Sequence, residues 1–308
     1  MTARAASHVL LVAPYEYRTN AETAESNAFQ RAVSADEARQ LAADAIVQHR
    51  ALRDLLIENG VRITVARSLR ETPDAPFCNN WFSTHPGPSG TRLVLYPMLA
   101  PSRRIERRPD LVALLRAGYP EVVDFSARER DGVFLESTGS LCLDDEARVA
   151  YAAISPRTDR RLTEEWAARL GYRLVAFTAT DGEGQAYYHT NVMMFIGHGM
   201  AGICLESIGA TATPGEMGRP QVEAALIAGG LEILPISREQ VLAFAGNCLP
   251  LANDAGERLL VMSTAAFRSF TAEQRTRIEK RARILHTELS AFETLGGGSA
   301  RCLLGELF

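Results

Sequence analysis

The sequence predicts an α/β fold made of five similar units arranged as a propeller, each with strands, a hairpin and a helix. Two observations support this prediction. Five polar residues, each in or beside a short strand-like hairpin, follow one another at steps of 56, 53, 58 and 55 residues: Asn80, Glu136, His189, Asn247 and Cys302. One predicted helix falls in each interval and a fifth precedes the first of these residues. Such a repeat is typical of a ring or stack of like units.

Helix caps and helix breakers predict the five helices. They cover about 34–60, 109–118, 163–171, 220–230 and 271–286. Capping boxes, Ser34 with Glu37 and Thr271 with Gln274, head the first and the last. Proline or threonine opens the other three, and glycine ends the first four.

Apolar, β-branched runs between the helices predict the strands, and hairpin turns are expected at about 144–146, 197–199 and 253–256. The first run, HVLLVAP, and the last, RCLLGELF, have no hairpin partner of their own. Their pairing would close the ring and remove two exposed edges. We therefore expect one domain, 1–308. An open doubly wound sheet would explain the helices but not the even spacing, and would require a Gly-rich phosphate loop that is missing.

Composition limits the possible partners. The chain of 308 residues is 46% hydrophobic and has a net charge of −4 without a basic stripe, which argues against nucleic acid. No apolar stretch approaches the length of a membrane span. Five cysteines, an odd number without C-x-x-C, argue against a disulfide framework or a zinc site and predict a reducing cytoplasm. No metal or organic cofactor is implied, a small-molecule substrate is expected, and the oligomeric state stays open.

Cys302, His189 and Glu136 are the candidate catalytic residues: a nucleophile, a base and a carboxylate at repeat positions. Cys302 follows Arg301 and the flexible run 296–298, GGG. His189 is polar at the head of an apolar strand, and Glu136 lies inside one, where an ionisable group needs a partner. The alternatives are a buried structural cysteine, a hydrogen-bonded histidine and a partner for a buried arginine.

Several motifs resemble the guanidino-group-modifying enzymes, a superfamily that includes arginine deiminase, dimethylarginine dimethylaminohydrolase, succinylarginine dihydrolase and the amidinotransferases. They are NNWFSTHPG from Asn79, FLESTGS around Glu136, YHTN around His189, and Cys302 after its glycine run. The stretches YEYRTNAETAESNAFQ, LYPMLAPSRRIERR and AISPRT resemble its bacterial branch of citrulline-utilisation hydrolases and amidinotransferase-like proteins. The resemblance covers essentially the whole chain and implies the five-bladed α/β propeller called a pentein.

The same resemblance implies a covalent mechanism. Cys302 is the implied nucleophile, His189 the acid and base, and Glu136 its carboxylate partner. The thiolate would attack the planar carbon of a guanidino or ureido group, and water would hydrolyse the S-linked intermediate.

Two departures from the pattern concern substrate binding. Arginine-processing relatives have aspartate in F-T-R-D-P and in H-x-D, whereas this sequence has His85, with Asn80 nearby, and Asn191. A guanidinium suits carboxylates, and a neutral ureido group suits an amide. This favours a ureido substrate such as citrulline. Succinylarginine dihydrolase, a guanidino enzyme with asparagine in its site, keeps arginine derivatives open.

An amino-acid substrate also needs a cation for its α-carboxylate. Arg157, Arg18 and Arg104 are the candidates, in that order, and each has the alternative of a surface arginine. Asn20 and Asn27 are expected to line the mouth, and Asn247 to have a structural hydrogen-bonding role.

Three function classes follow from these residues. The first is a cysteine hydrolase of small guanidino or ureido compounds, and the second an amidinotransferase with the same nucleophile. The third is a non-catalytic propeller, since the superfamily has a member type that binds ribosomal subunits. The mildly acidic composition and the presence of all three candidate catalytic residues disfavour the third class.

Overall fold

The computed structural model describes residues 5–87 and 90–308, and its strands form five three-stranded sheets. In chain order the strands are β1 (His8–Ala13), β2 (Arg62–Arg67), β3 (Phe82–Gly87), β4 (Gly90–Leu95), β5 (Glu121–Asp124), β6 (Cys142–Asp144), β7 (Val149–Ala153), β8 (Arg173–Phe177), β9 (Met194–Gly197), β10 (Met200–Ile203), β11 (Glu232–Pro235), β12 (Leu249–Ala252), β13 (Arg258–Ser263), β14 (Arg283–Thr287) and β15 (Gly305–Glu306).

Helices connect these strands. They are α1 (Ala21–Ala24), α2 (Ala35–Glu58), α3 (Pro101–Arg104), α4 (Pro109–Gly118), α5 (Ser137–Ser140), α6 (Arg160–Leu170), α7 (Arg219–Ala228), α8 (Arg238–Leu242), α9 (Thr264–Ser269), α10 (Ala272–Glu279) and α11 (Ser290–Gly296). Short 3₁₀ helices cover Cys78–Asn80, Ser126–Asp131, Thr190–Val192 and Leu205–Ser207.

All five sheets have the same design. Their strand orders are β3-β4-β5, β6-β7-β8, β9-β10-β11, β12-β13-β14 and β15-β1-β2. In each, the middle strand pairs antiparallel with the first and parallel with the third. A parallel pair requires a crossover connection, and a helix supplies it in every unit: α2, α4, α6, α7 and α10. These are the five helices that the sequence predicts.

The first and last strands of the chain belong to one sheet. β1 pairs with β15, Val9 opposite Glu306 and Leu10 opposite Gly305, so the predicted pairing of the two ends is confirmed. The strand at the end is shorter than RCLLGELF, because 300–303 form a turn. That turn carries Cys302.

Two helix predictions are wrong in their bounds. The third helix begins at Arg160, where Asp159 is the N-cap and accepts a hydrogen bond from the Leu162 N–H. The fifth ends at Glu279, because Arg283–Thr287 pair with β13 as a parallel strand. Pairing with a neighbouring strand outweighs the local helical pattern there.

The five polar residues occupy matching places in the five units. Each lies shortly before the first strand of its sheet, and each is at most 3% exposed. The fold therefore carries five polar side chains into its interior, among apolar clusters that surround them.

Within 5–87 and 90–308, no helix has the length and apolarity needed to cross a bilayer.

Candidate active site

Glu136 and His189 form the centre of the site. Nε2 of His189 lies 2.8 Å from Oε2 of Glu136, and Nη1 of Arg157 lies 3.5 Å from the same oxygen. The other carboxylate oxygen accepts a hydrogen bond from the Leu99 N–H at 3.0 Å. Glu136 immediately precedes α5, and the N–H of Glu136 donates to Ser140 Oγ at 3.0 Å. A short helix and three donors thus hold the carboxylate in place.

The charges of this pair follow from their surroundings. Burial alone would raise the pKa of Glu136, but Arg157 and the hydrogen bond from His189 outweigh it and lower the pKa to about 2. Burial lowers the pKa of His189 to about 4, although Glu136 opposes that shift. At neutral pH the carboxylate is charged and the imidazole neutral. Its proton lies on Nε2, facing Glu136, which leaves Nδ1 as an acceptor.

The free nitrogen of His189 faces Asn80 and α5. Within the described ranges, His189 Nδ1 and Asn80 Nδ2 have no hydrogen-bond partner, although both are buried. Both contact Gly139, where a Cβ would lie 2.7 Å from Nδ1 and 2.4 Å from Nδ2. Glycine at position 139 thus lets α5 pack directly against these two unpaired polar atoms, which are candidate hydrogen-bond partners of a polar ligand.

Cys302 lies in the turn before β15. The N–H of Cys302 donates to the Ser299 oxygen at 3.0 Å, and Sγ lies 3.2 Å from Asn247 Nδ2 and 3.6 Å from Asn191 Nδ2. Burial raises the pKa of the Cys302 thiol, which favours the neutral thiol at neutral pH. Asn191 lies two residues after His189, in the same short turn. That turn therefore brings a donor to the sulfur and also carries the histidine that pairs with Glu136.

The glycine run before Cys302 is closely packed, contrary to the flexible loop that the sequence suggests. Gly297 ends α11 in the left-handed conformation, with φ of 63°. A Cβ on Gly296 would lie 2.2 Å from Tyr17 Oη, and one on Gly298 would lie 2.7 Å from the Phe77 ring. Glycine is needed here for close approach.

A second charged group lies beside Asn80. Arg103 donates from Nη1 to Asn80 Oδ1 at 2.7 Å and pairs with Glu106 through Nε at 2.9 Å. Nη2 of Arg103 donates to the Asp74 and Phe77 carbonyl oxygens. These bonds use all three nitrogens of the Arg103 guanidinium, so Arg103 is a poor candidate for binding a substrate carboxylate.

Asp74 is the acidic residue that the sequence reasoning missed. It is 2% exposed. Oδ2 accepts hydrogen bonds from Asn20 Nδ2 at 2.9 Å and Thr23 Oγ1 at 3.0 Å, while Oδ1 is unpaired among the described residues. The negative charge of Asp74 acts on Arg103 and on Tyr17. Burial raises the pKa of Tyr17, and the charge of Asp74 raises it further. Asp74 therefore provides a free carboxylate oxygen within electrostatic reach of the site.

The segment before α2 covers the site. Tyr17 Oη donates to the Phe292 oxygen, and Asn27 Nδ2 to the Gly296 oxygen at 3.0 Å. Arg157 donates to Ser26 Oγ from Nε at 3.1 Å and from Nη2 at 2.7 Å. Asn20 and Asn27 thus lie in the cover of the site, on the segment where the sequence places its mouth.

Arg157, Asn80 and Asn191 are brought together with the candidate catalytic residues, and the other predicted binding residues are not. Arg18 is exposed and donates to the Glu16 and Arg70 backbone oxygens. Arg104 donates to the Met98 and Leu99 oxygens. Neither arginine contacts the Glu136–His189 pair through these bonds.

His85 lies in a different cluster. Nε2 of His85 bonds to Ser83 Oγ at 2.6 Å, and its ring packs against Trp166 and Tyr172. It lines a cavity of about 540 Å³ that Asn191 and Arg301 also line, whereas Cys302, His189 and Glu136 do not. His85 was a candidate because the run FSTHP resembles F-T-R-D-P. In the structure its side chain packs within strand β3 and against α6, not against Glu136 or His189.

No group of three or more metal-ligating side chains occurs in the part of the chain that the structure describes.

The fold is shared with guanidino-group-modifying enzymes, and a matching family model shows this chain to be one of these hydrolases of non-peptide C–N bonds. The chain belongs to the family described as N,N dimethylarginine dimethylhydrolase, eukaryotic, whose family model matches residues 13–308. The superfamily predicted from the sequence motifs is thereby confirmed, while the bacterial branch stays a prediction. Among curated proteins there is no sequence match.

Solved structures share the fold at low sequence identity. A variant of the N-terminal domain of ArgZ, covalently bound to a reaction intermediate, is 17% identical with a TM-score of 0.75, covering 98% of this chain and 97% of that one. Apo ArgZ, an arginine dihydrolase from the ornithine–ammonia cycle in cyanobacteria, is 17% identical with a TM-score of 0.73. That match covers 97% of this chain but 40% of the ArgZ chain. A dimethylarginine dimethylaminohydrolase adduct with S-methyl-L-thiocitrulline is 16% identical with a TM-score of 0.67, covering 98% and 100%.

Proposed function

We propose that this chain hydrolyses the guanidino C–N bond of an arginine-like amino acid through a covalent adduct on Cys302. One observation carries the proposal. A buried cysteine and a buried histidine–carboxylate pair are joined by one short turn, 189–192, in a chain of the dimethylarginine dimethylhydrolase family. A nucleophile, a base and a residue that orients the base are the parts that covalent catalysis needs.

The first step forms the S–C bond. The Cys302 thiol gives its proton to His189 Nδ1, and the thiolate attacks the planar guanidino carbon. The bond from that carbon to the departing nitrogen then breaks, and this nitrogen takes the proton from His189. Glu136 stabilises the imidazolium through the hydrogen bond at Nε2.

The second step consumes water. His189 Nδ1 takes a proton from the water, whose oxygen attacks the S-linked carbon. The S–C bond breaks, its electron pair returns to Cys302, and the thiolate takes back the proton held by His189. The oxygen loses its remaining proton to the released amine or ammonia, and the carbon keeps the oxygen as a ureido carbonyl. One water is consumed and one amine or ammonia is released.

A cationic substrate also makes proton transfer from Cys302 to His189 more favourable. Burial raises the pKa of Cys302 and lowers that of His189, so proton transfer between them is disfavoured without a ligand. A guanidinium beside the sulfur stabilises the thiolate by Coulomb attraction, which is strong in a buried site. A neutral ureido group lacks this effect, and Asp74 Oδ1 offers a guanidinium an unpaired carboxylate oxygen. Both points favour a guanidino substrate over the ureido one suggested by the missing aspartates.

Arg157 is the proposed partner of the substrate α-carboxylate. Two of its nitrogens, Nε and Nη2, converge on the single Ser26 oxygen, at 3.1 and 2.7 Å. A carboxylate suits this fork better than one hydroxyl does. Nη2 also donates to the Thr23 carbonyl oxygen at 3.0 Å. Because Ser26 and Thr23 both belong to the covering segment, a movement of that segment on substrate entry would leave the fork free.

The test measures turnover of arginine, N-methylated arginines and citrulline in parallel, with ammonia, methylamines, citrulline and ornithine scored as products. We expect turnover of a guanidino compound, a covalent adduct on Cys302 in acid-quenched intact protein, and loss of both in Cys302→Ala. Turnover that survives Cys302→Ala, in a protein with wild-type circular dichroism, contradicts the mechanism. Preference for citrulline would restore the ureido hypothesis. Transfer of the group to added glycine or ornithine would make the chain an amidinotransferase.

We also infer that the five sheets form a closed five-bladed propeller and that 1–308 fold as one domain. The common sheet design, the pairing of β1 with β15, and the contacts of β9 with β6 and β12 and of β15 with β3 support this arrangement. A single calorimetric unfolding transition is expected. Deletion of 305–308 should lower its midpoint strongly by opening the ring, and two separate transitions would contradict the proposal.

A further inference from the structure

We propose that Asn247 is a catalytic residue whose side-chain amide binds and stabilises the Cys302 thiolate. The proposal rests on the covalent role of Cys302 proposed above. Asn247 is 1% exposed, and Nδ2 lies 3.2 Å from Sγ of Cys302, closer than the amide of Asn191 at 3.6 Å. The hydrogen bond from this N–H to the sulfur becomes stronger when the thiol loses its proton, because hydrogen bonds to ions are stronger than those between neutral groups.

The orientation of this amide is determined by two backbone groups. Oδ1 of Asn247 accepts a hydrogen bond from the Cys302 N–H at 3.4 Å, and Nδ2 donates to the Asn191 oxygen at 2.9 Å. A flipped amide would place oxygen against the Asn191 carbonyl and nitrogen against the Cys302 N–H, losing both bonds. Nδ2 has two hydrogens, so one binds the carbonyl and the other is available to the sulfur.

The backbone before Asn247 is shaped to bring this amide to the sulfur. Phe244 has φ of 62°, a left-handed conformation that is strained for a bulky residue. At Gly246 a Cβ would lie 2.3 Å from the Val192 oxygen, so only glycine fits against the turn that carries Asn191. The main-chain carbonyl oxygen of Asn247 also accepts a hydrogen bond from the Arg301 N–H. The turns before three different strands therefore meet at this amide.

The side chains that donate hydrogen bonds to the sulfur of Cys302 are neutral amides. The titratable groups that interact electrostatically with the thiol are Arg301, Tyr17, Tyr188 and Cys142. Arg301 is the cation among them, but its guanidinium binds Glu306 at 2.8 Å and the Leu304 oxygen at 3.1 Å. The Asn247 and Asn191 amides donate hydrogen bonds to Sγ, and the Ser299 backbone also helps to lower the pKa of Cys302 against the effect of burial. Neutral donors stabilise the thiolate without repelling a cationic guanidinium, as a lysine or arginine there would.

The test follows the pH dependence of Cys302 alkylation by iodoacetamide in the full-length chain, read on the Cys302 peptide by mass spectrometry. We expect Asn247→Ala to raise the apparent pKa of Cys302 by about one to two units, which corresponds to the loss of a hydrogen bond to a charged group. Asn247→Asp, of nearly the same shape, should raise it further because its carboxylate repels the thiolate. Both variants should lower kcat more than they change KM.

A matched control separates this effect from a structural one. Asn27 is also a buried asparagine whose amide donates to a carbonyl, that of Gly296, but it does not bind the sulfur. Asn27→Ala, which removes a buried amide without adding a charge, should leave the apparent pKa of Cys302 unchanged. A wild-type apparent pKa in a folded Asn247→Ala or Asn247→Asp variant would overturn the proposal. Since alkylation needs no turnover, this result is independent of whether Cys302→Ala abolishes hydrolysis, so the two proposals fail separately.

Discussion

Glu136 and His189 share a hydrogen bond of 2.8 Å although both side chains are almost fully buried. The bond determines which nitrogen of His189 carries the proton, and so directs Nδ1 toward Asn80 and Gly139. Arg157 lies 3.5 Å from the same Glu136 oxygen and compensates the buried charge. One carboxylate thus has two functions: it orients the base and neutralises an arginine.

Glu136→Gln removes the charge on which both functions depend, and each loss can be measured separately. We expect kcat to fall about 10²–10⁴-fold, because an amide no longer stabilises the imidazolium. We also expect the free energy of unfolding to fall by about 3–5 kcal/mol, because Arg157 loses its buried counter-charge. Steady-state kinetics and urea unfolding measure the two effects. Glu165→Gln, at an exposed pair with Arg128, is the control and should change neither. An unchanged kcat in Glu136→Gln would argue against the proposed role of His189.

Asp74→Asn tests whether the substrate is cationic. Loss of a charge-assisted hydrogen bond should lower kcat/KM for a guanidino substrate about 10–100-fold. Activity on a neutral ureido compound, where detectable, should fall much less. The same substitution at the exposed Asp124 serves as a control for the loss of one negative charge. Equal losses on both substrates would show that Asp74 supports the fold rather than the guanidinium.

His85→Gln distinguishes a binding residue from a structural one. Burial lowers the pKa of His85 to about 3, from an ordinary value of 6.5. Between these values the unfolded chain binds a proton that the folded one does not, so His85 makes the folded state less stable as pH falls through this range. The variant keeps a polar group for Ser83 and lacks this titration. Its loss of stability between pH 7 and pH 4 should be smaller, by up to about 3 kcal/mol.

The measurement is the urea midpoint at both pH values, together with KM at neutral pH. We expect KM to stay at the wild-type value, because the hydrogen bond of His85 goes to Ser83 and its ring packs against Trp166 and Tyr172. A raised KM with an unchanged pH dependence of stability would return His85 to the substrate site.

Much of the fold was predictable because its signals are local. Ser34 and Thr271 accept the hydrogen bonds expected of N-caps, and the five crossover helices lie in the predicted intervals. The even spacing of polar residues was informative because, in all five units, the polar residue lies shortly before the first strand of the sheet. The end of α10 was not predictable from local pattern, since Arg283–Thr287 become a strand only through pairing with β13.

The site was less accessible to sequence reasoning than the fold. Asp74 lies between β2 and β3 in a stretch without hydrophobic periodicity, and only the contacts from Asn20 and Thr23 reveal its burial. Its one sequence signal was an acidic residue amid apolar neighbours, in PDAPF. His85 was misleading for the opposite reason: its motif is suggestive, but the direction of its side chain depends on packing against Trp166.

Gly139→Ala tests how closely the site is built. A Cβ at this position would lie 2.4 Å from Asn80 Nδ2 and 2.7 Å from His189 Nδ1, so one or both side chains must move. We expect kcat/KM to fall at least about 100-fold, because a displacement of about 1 Å at reacting groups has that effect. Gly182→Ala is the matched control, since a Cβ there meets nothing within 4 Å.

The variant's stability shows where the strain goes. Asn80 is anchored through Oδ1 to Arg103 and His189 through Nε2 to Glu136, so both contacts resist the added methyl group. Overpacking of this kind costs about 1–3 kcal/mol. We therefore expect a moderate loss in urea unfolding together with the large loss of activity. Wild-type kcat/KM in Gly139→Ala would mean that neither Asn80 Nδ2 nor His189 Nδ1 takes part in the reaction.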